Sequence, residues 1–218
     1  RLQGDWSSDV CSSDLVTSRI SPTWTKANLL GDLPLSRINA IFGHFEHSAG
    51  TAASGEAFTP TELAAALPAG SKVVLSMGCH SGLSVADATD VSGTATSTDF
   101  AQAIAGTGAV YVATTGFGYG AVNGVGLHER LFTLLAQQLD GAVTIGAGLA
   151  YAKQAYYGTA GLYGVYDEKV LETTVLFGLP MWKLSATPRT RATTITAAPA
   201  TDPATGLQVA DFSRTNIA

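Results

Sequence analysis

Two residues in this chain have the types and the setting for nucleophilic catalysis, Cys79 and His44. Each follows a short apolar run and a glycine: Ile38-Asn39-Ala40-Ile41-Phe42-Gly43 precedes His44, and Val73-Val74-Leu75-Ser76-Met77-Gly78 precedes Cys79. A thiol is a weak nucleophile until it loses its proton, and an adjacent imidazole can accept that proton or favour the thiolate. Gly43 and Gly78 would let the backbone turn sharply and bring amide N–H groups close to a reacting carbonyl. Such donors stabilise the oxyanion of a tetrahedral intermediate, and the amides of Cys79 and Phe45 are the natural candidates. A plainer reading stands beside this one. A cysteine at a strand end is commonly a small buried hydrophobe, and a lone histidine a satisfied polar residue.

Other constellations carry less. His44, His47, Cys79 and His80 could supply a His/Cys zinc site, but successive residues of an extended segment point opposite ways, so at most three could converge. Gly116-Phe117-Gly118-Tyr119-Gly120-Ala121 fits the spacing G-x-G-x-x-A of dinucleotide-binding turns. Yet Gly120, Gly124 and Gly126 delay any helix, and that motif needs a tight strand–turn–helix. The segment reads instead as a substrate-facing loop with Phe117 and Tyr119 as walls, or as an ordinary connection. Ser81 lacks the flanking glycines of a nucleophile elbow. Asp87, Asp90 and Asp99 match no calcium-loop spacing. The five tyrosines from Tyr151 to Tyr166 read as packing and surface residues of late helices.

The elements that must position Cys79 and His44 follow from the apolar pattern. Runs at 38–43, 72–77 and 109–113 are continuously apolar, as strands buried on both faces are. Thr59-Pro60-Thr61-Glu62 opens a helix over 59–67: Thr59 caps, Pro60 suits the first position and Glu62 completes a capping box. Further helices are expected near 28–30 and over 99–105, 127–139 and 143–157. Residues 169–177 read as helix or strand, and 179–184 as a final strand. The segment 44–58 reads as a small polar loop. Strands alternating with helices predict an α/β domain with a mostly parallel sheet, whose ligands bind at the carboxyl ends of the strands.

Composition narrows the function classes. The net charge of −5 argues against a nucleic-acid surface, which needs clustered Lys and Arg. No apolar run approaches the roughly 20 residues of a membrane-spanning helix. Residues 5–15, DWSSDVCSSDL, read as the translation of a sequencing-adapter oligonucleotide, the alternative being a natural Ser/Asp-rich tail. Residues 1–15 are therefore expected to be an artefact of assembly, which leaves Cys79 as the single genuine cysteine. Residues 16–186 form the expected domain, 187–205 a Thr/Ala/Pro linker, and 206–218 the start of a following β domain.

Five segments, in order, resemble the gingipain family of cysteine peptidases. They are Asn39-Ala-Ile-Phe-Gly-His44, Phe58-Thr-Pro-Thr-Glu-Leu63, Val73-Val-Leu-Ser-Met-Gly-Cys79, Gly108-Ala-Val-Tyr-Val-Ala-Thr-Thr115 and Val175-Leu-Phe-Gly-Leu-Pro-Met-Trp182. The resemblance covers about 28–184. It implies a caspase-like three-layer α/β sandwich, incomplete at its N-terminus. It also implies a bacterial, secreted or cell-surface endopeptidase with Cys79 as nucleophile and His44 as acid/base. Protein or peptide substrates would be cleaved through a thioester acyl-enzyme, with no metal or cofactor. The family has Gly after its histidine where this chain has Phe45, so Phe45 is expected to narrow the space beside the oxyanion. A catalytically inactive relative serving as a binding or scaffold module, and a metal-binding domain using His44, His47 and Cys79, are the alternatives.

Overall fold

The structure, a computed structural model, describes residues 24–69, 72–85, 98–122, 124–159, 161, 163–184, 198–201 and 208–211. The adapter-like stretch with Cys11, and Asp87 and Asp90, lie outside the described residues. In chain order the elements are α1 (Lys26–Asp32), a 3-10 turn (Leu33–Leu35), β1 (Ile38–Ala40), β2 (His44–Glu46), β3 (Ala49–Thr51), β4 (Ala57–Phe58) and α2 (Pro60–Ala66). There follow β5 (Val73–Ser76), α3 (Phe100–Gly106), β6 (Val110–Thr114), α4 (His128–Ala136), α5 (Ile145–Thr159), α6 (Val165–Thr173) and β7 (Thr174–Phe177). Strands β8 (Ala198–Thr201) and β9 (Gln208–Asp211) pair with each other antiparallel.

The main sheet has the order β1-β5-β6-β7, with β1, β5 and β6 parallel and β7 antiparallel to β6. The chain is thus mixed α/β around a mostly parallel four-stranded sheet. Every residue of β5 and β6 is buried, and the two-residue period of a strand sends alternate side chains to opposite faces. Val73, Leu75, Val110 and Val112 pack against Leu131 and Leu135 of α4, Ala152 and Tyr156 of α5 and Val170 of α6. Val74, Tyr111 and Ala113 pack against Leu63 of α2 and Phe100 and Ile104 of α3. Helices therefore cover both faces, which is why these strands carry no polar alternation. No helix among the described residues is long and apolar enough to cross a membrane.

The helix starts follow local chemistry. Thr59 Oγ1 accepts from the Glu62 amide at 3.2 Å, and Glu62 Oε2 accepts from the Thr59 amide at 2.9 Å, closing the capping box. Asp99, almost fully buried, caps α3 by accepting from the Gln102 amide at 2.7 Å. Its second oxygen accepts from the Val85 amide at 2.9 Å, tying the chain downstream of Cys79 to the start of α3.

Four segments differ from the sequence reading. The polar loop expected at 44–58 instead holds a three-stranded antiparallel sheet, β2-β3-β4. Its strands have only two or three residues, too few to show a period. The reading of 169–177 as helix or strand resolves into both, α6 running into β7. The strand expected at 179–184 is irregular chain: Gly178 has φ +99 and Pro180 sits in a turn, which ends β7 at Phe177. Strand β8 also opens inside the stretch read as a linker.

Candidate active site

Cys79 sits in the turn that follows β5, and His44 opens β2 just beyond β1. Strands β1 and β5 are parallel neighbours, with Ile38, Asn39 and Ala40 opposite Val73, Val74 and Leu75. The pairing runs one residue further, because the Ile41 amide donates to the Leu75 carbonyl at 2.8 Å. Both side chains therefore belong to the carboxyl end of the same sheet, where open α/β folds bind ligands. The two segments touch through Phe45: a Cβ built on Gly78 would fall on the Phe45 ring. His44 is exposed and Cys79 partly exposed. Among the described residues neither side chain has a hydrogen-bond partner.

Two backbone amides near this rim are free of the sheet ladders. The Cys79 amide makes no hydrogen bond among the described residues. In β2, Glu46 opposes Ala49 across the two-residue turn, His44 opposes Thr51, and Phe45 opposes Gly50. The pairs flanking such a turn exchange hydrogen bonds alternately, so the Phe45 amide belongs to the non-bonded pair and points away from β3. The Phe45 side chain does not narrow the rim as expected. It is 6% exposed and buried among aromatic rings, with centroids 5.4 Å from Phe58 and 5.1 Å from Phe100. The period of β2 explains this: His44 and Glu46 face outward and Phe45 inward.

The Cys79 turn is held by the end of β6. His80, immediately after the cysteine, has φ +55, a left-handed conformation unfavourable for a side-chain-bearing residue. Its amide donates to the Gly116 carbonyl at 2.7 Å, and its Nδ1 lies 3.3 Å from the Thr115 carbonyl, so that nitrogen carries the hydrogen. The Gly82 amide donates to the Thr114 carbonyl at 2.9 Å. Gly118 comes so close to the Met77 carbonyl that any Cβ there would collide with it. Sequence reasoning noticed neither role of His80, since nothing in Cys79-His80-Ser81 signals a positive φ. Ser81 itself is fully buried.

The loop at 115–121 lies over this turn. Phe117 is 59% exposed and its ring meets His80 at 4.8 Å, so it stands open beside the residue that follows Cys79. Tyr119, read from the sequence as a wall of the loop, is half-buried and held from the side of α4. It stacks on His128 at 5.9 Å, meets Tyr166 edge-on at 5.2 Å and carries the Lys169 ammonium 5.7 Å from its centroid. The Tyr119 amide donates to His128 Nδ1 at 2.9 Å, and the His128 amide donates back to the Tyr119 carbonyl at 3.1 Å. Burial pushes the His128 imidazolium down to a pKa of about 4. Glu129, 8% exposed, accepts from the Ala121 and Gly126 amides at 3.5 and 3.4 Å.

The metal set suggested by His44, His47 and Cys79 does not gather. His47 is buried at 2% exposure, with its carbonyl accepting from the Phe100 amide, while His44 faces outward. No three His, Cys, Asp or Glu residues among those described are placed to hold a metal ion. Asp99, weighed for calcium, spends both oxygens on backbone amides. Among the described residues no helix follows Gly116 to Ala121 until His128, so the dinucleotide spacing lacks its strand–turn–helix. No family model, curated protein or solved structure matches the chain.

Proposed function

We propose that the protein is a cysteine endopeptidase of the gingipain type on a caspase-like sandwich, acting on protein or peptide substrates outside the bacterial cell. The observation that supports it most directly is the shared strand end. Cys79 and His44 follow adjacent parallel strands, and the Phe45 ring closes one segment on the other at Gly78.

In this mechanism the thiol proton passes to His44 as the Cys79 sulfur bonds to the scissile carbonyl carbon. The Cys79 and Phe45 amides donate to the oxyanion. The intermediate collapses as the C–N bond breaks and His44 returns the proton to the leaving amine. Water, deprotonated by His44, then releases the acid from the thioester and restores the thiol. Phe117 would bound the substrate beside the thiol.

The test uses the full chain and iodoacetamide. Cys79 should alkylate much faster than free cysteine, and His44→Ala should remove the advantage. A rate equal to free cysteine, unchanged in His44→Ala, rejects the dyad and leaves a binding or scaffold module.

A further inference from the structure

We infer that His128 and Glu129 are positioning residues: they fix the 115–121 loop over the Cys79 turn and so determine how well a peptide is held against the thiol. The inference rests on the peptidase reading and adds residues that do not touch the reacting atoms.

The loop meets the nucleophile turn on one side and the start of α4 on the other. On the near side, His80 binds the Gly116 and Thr115 carbonyls, Phe117 lies on the His80 ring, and Gly118 abuts the Met77 carbonyl. On the far side, His128 engages both the amide and the carbonyl of Tyr119, and Glu129 accepts from Ala121 and Gly126. Between these contacts the described residues form no helix or strand, and the sequence carries Gly116, Gly118, Gly120, Gly124 and Gly126. Glycines of that density leave a large conformational freedom to be removed by external bonds.

The start of α4 is built for this purpose rather than for helix stability. Leu127, its N-cap, makes no side-chain cap and is held at φ 54, ψ −129, a costly conformation for leucine. That backbone delivers two adjacent polar side chains into the protein, where polar groups are costly unless bonded. His128 is fully buried. Its Nδ1 is the acceptor for Tyr119, which puts the ring hydrogen on Nε2, 3.5 Å from Thr173 Oγ1. The low proton affinity of the buried ring keeps Nδ1 an acceptor at neutral pH.

Two reagents of different size separate this role from thiol activation. Iodoacetamide reads the thiol alone, whereas peptidyl chloromethyl ketones ending in Arg, Lys, Leu or Phe must also be seated by the loop. His128→Leu and Glu129→Met should slow the best peptidyl reagent about tenfold to a hundredfold, the range for misplacement on the order of 1 Å, and change iodoacetamide by less than about twofold. His128→Asn, whose Oδ1 can replace Nδ1 as acceptor, should recover most of the peptidyl rate. Should His128→Leu not fold, Glu129→Met decides, because it removes the accepting oxygens at similar volume. Equal effects on both reagents, or none on either, overturn the inference while the peptidase reading stands. Wild-type labelling by iodoacetamide no faster than free cysteine, and indifferent to His44→Ala, overturns the peptidase reading and this inference with it.

Discussion

The ring of Phe45 occupies the space into which any side chain on Gly78 would project. The histidine-bearing and cysteine-bearing segments are thereby fitted to each other through a ring and a bare Cα. Gly78→Ala should cost about 1–3 kcal/mol, the usual penalty for forcing a methyl into filled space. Gly78→Ala combined with Phe45→Leu should cost less than the sum of the two, by about 0.5–3 kcal/mol of coupling. Urea unfolding of the four members of the cycle measures this, and strict additivity would show that the contact is unimportant.

His44 lies on the outer face of β2, so its removal should be visible in chemistry and not in folding. Peptide hydrolysis by His44→Ala should fall by about 10² to 10⁴, the range for a lost general acid/base. The urea midpoint should correspond to a change within about 0.5 kcal/mol, as for exposed substitutions. A large stability loss with unchanged residual activity would contradict this assignment.

The left-handed backbone at His80 makes a graded prediction. His80→Asn should fold with little loss, since Asn tolerates that region. His80→Val should lose at least about 1–2 kcal/mol, because a β-branched side chain adds to the strain and the bond to Thr115 disappears. Thermal unfolding of the pair distinguishes them, and equal transition temperatures would rule the strain out.

His128 predicts an acid-side loss of stability. Its folded pKa of about 4 lies below the ordinary value of 6.5, so between these values the unfolded chain binds a proton that the folded chain refuses. Stability from this group is complete above about pH 6.5 and is lost as pH falls towards 4, by roughly 3 kcal/mol at 1.36 kcal/mol per unit. Glu129 stands beside it in the chain, and the Lys169 ammonium lies 5.7 Å from the centroid of the Tyr119 ring stacked on it. Denaturant titrations at several pH values should show a shallower acid slope in His128→Asn than in the wild type. Identical slopes would mean that carboxylates alone drive the acid transition.

Much of the scaffold was readable because its signals are local. The capping box at Thr59 and Glu62, the apolar runs of β5 and β6, and the glycines before His44 and Cys79 each act over a few residues. The β2–β4 sheet was not readable, since it depends on a glycine at 50 that admits the Phe58 ring rather than on any periodicity. The inward turn of Phe45 was equally hidden: it follows from a strand that the sequence does not announce. His128 and Glu129 look like ordinary first-turn helix residues, and only the returning glycine loop gives them partners. The left-handed state of His80 has no local signature at all.

The two oxygens of Asp99 have a consequence in time. One holds the Val85 amide, just past the Cys79 turn, and the other holds the Gln102 amide in the first turn of α3. A fluctuation that swings this carboxylate away exposes both hydrogens together. In deuterated solvent the two amides should therefore exchange in step, with one opening rate between them. The segment that carries the thiol and the helix packed behind it then loosen as a single kinetic unit, and the lifetime of the turn is that of the helix start.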